Sequence, residues 1–359
     1  MSTFFEHHRD RLAAFARVSG VIGARADYVQ GGGGNTSVKL EGGLMAIKAS
    51  GYCLKDIAPD RAYAVLDCAS LREFYFGAQP SDFDDVEKAG SDRAKASVQQ
   101  IDGLAPLRPS VEAGFHSLLD TYVAHSHSVY ANLATCAADG REVVARALAD
   151  ADYTWGFVPY TDPGARLTFS IRDELARVES ETGRRPAVIF MQNHGLIAHH
   201  DDPDECLRIH ADVNRRVAEV FGVRDGDFPA VSVREIGGGL VEADSPLLSD
   251  ALRSGAYSEK FLLESPLYPD QLVFLTGSFA FGSAPADGMC AADPATGRVC
   301  FAMPAAKAQV IAETLTCVVY ICETLKRSGH PLSTMDEAAR AFIANWESEK
   351  YRKSLAGKK

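Results

Sequence analysis

The chain has 359 residues, of which 46% are hydrophobic and 24% are charged, proportions typical of a globular protein with an apolar core. At about 150 residues per domain, this length predicts two domains. The formal net charge of −11 argues against nucleic-acid binding, which needs a basic surface, so an anionic ligand would require a locally positive site.

The N-terminal segment and the cysteines favour a cytoplasmic protein. MSTFFEHHRDRLAAFARVSG alternates charged and apolar residues as an amphipathic helix does, without the basic and apolar regions of a signal peptide. The apolar stretch 318–322 is far shorter than the roughly 20 residues that cross a bilayer. The eight scattered cysteines include no C-x-x-C pair, which favours reduced thiols. We therefore expect neither a membrane nor a nucleic acid as partner.

Helical and strand patterns are mixed over about the first 225 residues. After the N-terminal helix and a glycine run, SVKLEGGLMAIKASG has two short apolar runs around a Glu-Gly-Gly turn, which predicts a β-hairpin. Further strands are predicted in DRAYAVLD, TYVAHSHS, WGFVPYTDPG and PAVIFMQNHGLIAHH, the last as a buried pair. Helices are predicted in the middle of 81–107, in VEAGFHSLL, over 129–136 and 141–149, and in SIRDELARVESETG and DECLRIHADVNRRVAEVFG. This mixture predicts an α/β domain over residues 1–225.

The remainder, 226–359, predicts a smaller α+β region of unknown role. Residues 226–254 are rich in loop-forming types and contain three consecutive glycines, which places the domain boundary there. Strands are predicted in QLVFLTG, MCAAD and VCFAM, and amphipathic helices in AAKAQVIAETLTCVVYICETLKRSG and TMDEAARAFIANWESEKYRKSL. The lysine-rich tail after Ser354 is expected to be disordered.

The stretch YVQGGGGNTSVKL, residues 28–40, contains the first candidate binding residues. A dinucleotide fingerprint is excluded because Thr36 stands in place of the third glycine, and no Gly-Lys-Ser/Thr follows as in a P-loop. What remains is a turn that can adopt positive φ and present bare N–H groups to an anion, with Asn35 and Ser37 as further donors. A purely structural tight turn is the alternative.

Three of the ten histidines form a second candidate site. His125 and His127 lie two apart in a predicted strand, so they share a face, either as a pair of metal ligands or as part of a polar surface. His194 lies where an apolar strand breaks at Asn-His-Gly, either as a further ligand or as a structural residue. Three neutral imidazoles would leave a catalytic zinc open to water or substrate. Glu112 could supply a general base or a fourth ligand, or be an exposed carboxylate that the helix dipole stabilises.

Five motifs in order over about the first 215 residues resemble the class II aldolase/adducin family: GGGGNTS, KASG, PSVEAGFH, AHSHS and QNHGLIA. The resemblance implies an α/β class II aldolase-like α/β/α domain with a central mixed or antiparallel sheet. It implies that His125, His127 and His194 bind a divalent metal, usually Zn²⁺ and otherwise Mn²⁺ or Co²⁺, and that Glu112 is the catalytic acid/base. A pocket for the substrate's phosphate or equivalent anion would be lined by Gly34, Asn35, Ser50, Gly51 and Ser110.

The function implied by this resemblance is reversible aldol cleavage of a ketose phosphate or hydroxy-oxo acid. Zinc would stabilise the enediolate while Glu112 moves the proton. Decarboxylation, dehydration and 4-epimerisation of a sugar phosphate are alternatives on the same site, although the family's epimerases usually have Asp where Glu112 stands. A non-enzymatic adducin-like module is a further alternative. Should Glu112 not carry the proton, Tyr160 or Asp162 in VPYTDPG would be the next candidates.

Two features qualify the resemblance. Val111 stands where the family often has a second serine, so the substrate's anion could be a carboxylate. The chain is longer than a single domain, and its first motifs look closer to the aldolase part of long rhamnulose-phosphate aldolase/dehydrogenases. The family also implies a homotetramer in which neighbouring subunits complete the active sites.

Overall fold

The computed structural model describes residues 3–345, which form two compact units. The first unit contains residues 3–128 and Leu148–Arg216. The second contains Val129–Ala147 and residues 217–345. The domain boundary near residue 225 stays a prediction, and the lysine-rich tail lies outside the described residues.

The described residues contain both helices and strands throughout. The helices are α1 Thr3–His7, α2 Arg9–Gly23, α3 Cys68–Gly77, α4 Val86–Ala96, α5 Ala113–Leu118, α6 Val129–Thr135, α7 Gly140–Ala147, α8 Ala165–Thr182, α9 Pro203–Val220, α10 Pro246–Arg253, α11 Glu259–Glu264, α12 Pro269–Leu275, α13 Ala305–Ser328 and α14 Glu337–Asn345. The strands are β1 Asn35–Lys39, β2 Leu44–Lys48, β3 Tyr63–Asp67, β4 Tyr122–Ser126, β5 Trp155–Val158, β6 Val188–Met191, β7 Gly195–His200, β8 Ser232–Gly237, β9 Leu240–Asp244, β10 Phe279–Phe281, β11 Cys290–Asp293 and β12 Arg298–Phe301. Short 3₁₀ turns lie at Glu41–Gly43, Leu54–Asp56 and Pro80–Asp82.

A seven-stranded mixed sheet forms the centre of the first unit, in the order β3-β2-β1-β4-β7-β6-β5. Its strand pairs are antiparallel except for β5 and β6, which are parallel. The predicted fold class is therefore confirmed, as is the β1–β2 hairpin, in which Ser37 pairs with Ile47. In the register of β4, His125 pairs with Asn35 of β1 and with Ile197 of β7. This register brings three strand ends to one edge of the sheet.

The two faces of this sheet pack against different helices. On one face, α3, α4, α5 and α8 contribute to a buried apolar cluster that includes Phe115, Phe169 and Ile197. On the other, α2 packs on β1, and Ser19 Oγ lies 2.6 Å from Thr36 Oγ1. Because side chains alternate along a strand, Asn35 and Ser37 face away from α2 and toward α5.

A five-stranded sheet, in the order β10-β11-β12-β9-β8, forms the second unit together with α13. The predicted C-terminal strands MCAAD and VCFAM are the antiparallel pair β11–β12. By length and composition α13 could cross a membrane, but 67% of its most apolar window is buried within the protein. Burial of this kind is typical of a core helix.

Two secondary-structure predictions in the second unit were wrong. Residues 226–254 are not mainly loop, because β8 and β9 form a hairpin and α10 follows. The three glycines at 237–239 all have positive φ, so they make the turn of this hairpin. QLVFLTG is not a strand but lies mostly in α12, where Pro269 occupies the first helical turn and nearly every side chain is buried. A short, buried apolar run shows no periodicity that distinguishes a helix from a strand.

The first unit shows two smaller differences. The N-terminal helix is two helices, α1 and α2, separated at His8. Helix α3 was not predicted from its sequence CASLREFYFG, although Asp67 caps it by accepting a hydrogen bond from the main-chain N–H of Ser70. Neither difference affects the strands that carry the histidines.

Candidate active site

The three predicted histidines converge at one edge of the seven-stranded sheet. His125 lies on β4, His127 just beyond the end of β4, and His194 in the turn between β6 and β7. All three are buried, and one nitrogen of each lies within 4.8 Å of the others. Ring centroids are separated by 4.9 to 5.1 Å. The alternative interpretation of His125 and His127, as part of a polar surface, is therefore wrong, because both side chains are buried.

The hydrogen bond at His125 determines which of its nitrogens is available. Nδ1 lies 3.0 Å from the main-chain carbonyl oxygen of Leu196, which can only accept, so Nδ1 carries the proton. Nε2 is then a bare lone pair, and it lies 3.1 Å from His127 Nε2. Burial lowers the pKa of His125 to about 3, so the ring is neutral at physiological pH. A neutral imidazole oriented by a carbonyl in this way is the usual state of a metal ligand.

Glu112 lies beside the three rings, immediately before α5. Its carboxylate is buried, with Oε2 3.5 Å from His125 Nε2 and Oε1 3.3 Å from His194 Nε2. Among the described residues, Oε1 has no polar partner besides His194 Nε2. Burial raises the pKa of Glu112, but the surrounding imidazoles, including a hydrogen bond with His194, outweigh it and hold the pKa well below its usual value. Glu112 is therefore not an exposed helix-end carboxylate.

The residues predicted to bind an anion lie together, next to Glu112. Asn35 Nδ2 lies 2.5 Å from Glu112 Oε2 and 3.1 Å from Ser110 Oγ. Main-chain hydrogen bonds hold the turn at Ser50 against the segment of Ser110, since Ser50 N donates to Arg108 O and Ser110 N donates to Lys48 O. The segments around Ser50 and Ser110 are thus joined to each other and, through Asn35, to the start of β1.

Lys48 connects the glycine run to the Ser50–Gly51 turn. It is 4% exposed, and its Nζ donates to the carbonyl oxygens of Gly32 at 3.0 Å and Tyr52 at 2.8 Å. A buried ammonium at the junction of two turns provides a local positive charge in a chain of net charge −11. No feature of the sequence alone distinguishes Lys48 from an ordinary surface lysine.

Two glycines allow the backbone to pack closely around the histidines. Gly34 has φ +61, and a Cβ there would lie 2.6 Å from the carbonyl oxygen of His125. A Cβ on Gly195 would likewise overlap the carbonyl oxygen of Ser126. Neither position can hold a side chain without displacing the strand that carries His125 and His127.

His116 is a further polar residue beside this site that no sequence motif singled out. This residue is fully buried on α5, with Nε2 hydrogen-bonded to Asn35 Oδ1 and Nδ1 2.8 Å from Ser37 Oγ. The available signal was a histidine in the largely apolar helix AGFHSL, four positions after Glu112. The fallback proton carriers Tyr160 and Asp162 contact each other, with 3.3 Å between the hydroxyl and the carboxylate.

Comparison with known proteins identifies the family to which this chain belongs. Residues 14–220 match the model of the class II aldolase and adducin N-terminal domain, which is more than half of the chain. The chain belongs to the class II aldolase and adducin family. No curated protein sequence gives a significant match.

Solved structures with similar folds include one class II aldolase domain and two aldolases. The N-terminal class II aldolase domain of a conserved protein from Thermoplasma acidophilum is 23% identical, with 57% of this chain and 91% of that chain covered and a TM-score of 0.47. L-fuculose-1-phosphate aldolase from Thermus thermophilus is 16% identical, with coverages of 58% and 93% and a TM-score of 0.36. A sugar-phosphate aldolase from Thermotoga maritima is 13% identical, with coverages of 61% and 98% and a TM-score of 0.41.

Proposed function

We propose that the protein is a metal-dependent aldolase, an aldehyde-lyase of carbohydrate metabolism that reversibly cleaves a ketose phosphate or a hydroxy-oxo acid. The observation that carries this proposal is the convergence of three buried imidazoles beside the buried carboxylate of Glu112. Aldol cleavage needs electrophilic stabilisation of a developing oxyanion and a group that moves a proton to or from carbon. We assign the histidines to hold the cation for the first task and Glu112 to the second.

The donor set fits a divalent cation. His125, His127 and His194 would hold it through neutral ring nitrogens, and three such ligands leave a position for substrate. Zn²⁺ suits this set best, with Mn²⁺ or Co²⁺ as other candidates. When bound, the cation supplies Lewis-acid stabilisation of the substrate's carbonyl oxygen.

Glu112 would move the proton at Oε1. Its other oxygen, Oε2, is occupied by the Asn35 amide, whereas Oε1 has no polar partner besides His194 Nε2 among the described residues. In cleavage the C–C bond breaks as the substrate's hydroxyl group loses its proton and becomes the aldehyde carbonyl, and Glu112 would pass a proton taken up from that hydroxyl to the carbanion carbon. In condensation the ionised Glu112 would remove the proton from carbon and the transfer would run in reverse. Exclusion of bulk water from this buried carboxylate strengthens its interactions with charged neighbours.

The joined turns would bind the anionic end of the substrate. Gly34, Asn35, Ser50, Gly51 and Ser110 are proposed to contact it, and the buried Lys48 ammonium favours an anion there. A phosphate or a carboxylate would satisfy these donors. We further propose that the protein acts in the cytoplasm as a homo-oligomer.

The test is a substrate screen with the metal-loaded protein. A panel of ketose phosphates and hydroxy-oxo acids is incubated with wild type and with Glu112→Gln, and both carbonyl products are trapped and quantified. Two carbonyl products from the wild type, and a rate reduced at least about 100-fold in the variant, would support the aldolase. Release of CO₂, or dehydration with the carbon chain intact, would assign the site to the alternative lyases. Wild type without bound metal and without turnover would favour a binding module.

A further inference from the structure

A buried hydrogen-bond chain leads from β1 through His116 to Glu112. His116 Nε2 bonds to Asn35 Oδ1, and Asn35 Nδ2 bonds to Glu112 Oε2. We propose that His116 is a positioning residue, which acts through Asn35 to hold the Glu112 carboxylate in the orientation needed for proton transfer. This inference rests on the proposed function, because it assigns Glu112 the proton-transfer role.

The direction of every bond in the chain follows from its acceptor end. An ionised carboxylate only accepts, so Asn35 presents Nδ2 to Glu112 and is left with Oδ1 facing His116. His116 Nε2 must then carry the proton, and the bare Nδ1 accepts from the Ser37 hydroxyl at 2.8 Å. The order of donation is Ser37, His116, Asn35 and Glu112. Aligned bonds of this kind strengthen one another in a low-dielectric interior.

The neutral form of His116 is the one that the chain requires. Burial and the nearby positive charge of Lys39 hold the pKa of His116 well below its usual value. Protonation would place a second N–H on the ring at Nδ1, so the bond to Ser37 would reverse and the order of donation from Ser37 to Glu112 would be interrupted. The tautomer is therefore fixed at physiological pH.

His116 is held at three points by one face of β1. Asn35 and Ser37 bind its two ring nitrogens, and Lys39 Nζ donates to its main-chain carbonyl oxygen. Its ring also stacks on Phe115, with centroids 4.7 Å apart and planes inclined by 23°. Alternate residues of one strand thus fix the ring, and the ring fixes the Asn35 amide. Small displacements of a catalytic group reduce rates strongly, so such support has a functional consequence.

The catalytic test compares two replacements of His116. His116→Phe keeps an aromatic ring but removes both nitrogens, and we expect kcat to fall about 10- to 100-fold with little change in KM or metal content. His116→Gln can present an amide N–H near the position of Nε2 and should restore most of kcat. In a Glu112→Gln background, His116→Phe should cause no further loss, because its effect passes through Glu112. His199→Phe is the matched control, since His199 is equally buried and hydrogen-bonded to Asp120.

A second measurement does not depend on activity. Melting temperatures of the full chain without metal are compared for wild type, His116→Phe, Glu112→Gln and the double variant. Coupling predicts that the double variant loses at least about 2 °C less than the sum of the two single losses. The pair His199→Phe and Glu112→Gln should be additive.

The outcomes separate this inference from the proposed function. Additive melting temperatures, or normal turnover in His116→Phe, would overturn the positioning role even if Glu112→Gln is inactive. Normal turnover in Glu112→Gln would instead refute the proposed function. If the wild type cleaves nothing on the panel, the melting-temperature cycle still decides whether His116 and Glu112 are coupled.

Discussion

Glu112 combines features that an ordinary structural carboxylate lacks. It is buried, it lies within 3.5 Å of two imidazoles, and one of its oxygens has no polar partner besides His194 among the described residues. Burying a charge is costly unless neighbouring groups compensate for it. A site that accepts this cost at the start of a six-residue helix is more readily explained by chemistry than by stability.

Glu112→Gln should keep the metal and the fold but lose proton transfer. General acid–base catalysis is typically worth about 10²–10⁴-fold, so kcat should fall within that range while metal content stays near that of wild type. Glu174→Gln is the matched control, because Glu174 is a largely buried carboxylate on α8 that pairs with Arg177. Loss of metal in Glu112→Gln would make Glu112 a ligand, and near-normal turnover would direct attention to Tyr160 and Asp162.

His127→Ala tests the metal site directly. Removing one of three ligands should abolish most of the bound metal and nearly all activity, as measured by elemental analysis and by turnover. His7→Ala controls for the loss of an imidazole. The His7 side chain is 59% exposed, and it forms an ion pair with the surface residue Glu41. Metal at the wild-type level in His127→Ala would refute the assignment.

Ser50 and Asn35 should differ in their kinetic effects. Ser50 lies in a turn and makes no described side-chain bond to Glu112, so Ser50→Ala should raise KM about 5- to 30-fold for an anionic substrate with little change in kcat. Asn35→Ala also removes the amide from Glu112, so KM should rise and kcat should fall. Steady-state kinetics of both variants decides this. An unchanged KM in both would show that the substrate's anion binds elsewhere.

At the scale of elements, the site depends on how closely the strands of one sheet edge approach each other. The start of β1, the end of β4 and the β6–β7 turn meet there because the register pairs His125 with both neighbouring strands. The fourth residue of the glycine run, Gly34, lies against the main chain of His125. The glycine run therefore has a steric role in addition to its proposed contact with an anion.

Gly34→Ala should weaken metal binding through the backbone. The new Cβ would lie 2.6 Å from the His125 carbonyl oxygen, in addition to the strain of φ +61. Gly42→Ala is the matched control, with φ +74 and no atom within 4 Å of the added Cβ. We expect Gly34→Ala to lower both melting temperature and metal affinity, and Gly42→Ala to lower only the former, by a smaller amount. Equal metal affinity in the two variants would contradict the steric argument.

Across the whole molecule, local patterns predicted the first unit better than the second. The H-x-H spacing, the Asn-His-Gly break and the alternation along β1 are short-range signals, and they identified the three histidines. His116 was missed because its partners, Ser37 and Asn35, lie 79 and 81 positions away in the sequence. Contacts of such separation depend on strand register, which a single sequence does not fix. In the second unit, glycine content alone made the β8–β9 hairpin resemble a loop.

The assembly state is the remaining prediction for the whole molecule. We expect a homotetramer with active sites completed by neighbouring subunits, as the family resemblance implies. Light scattering should then give four times the mass of the monomer at assay concentration. Specific activity should fall on dilution in parallel with dissociation, because a monomer would lack part of each pocket. Glu112→Gln provides the control for residual turnover at every concentration. A monomer with full activity would show that one chain contains the entire site and would refute the tetramer requirement.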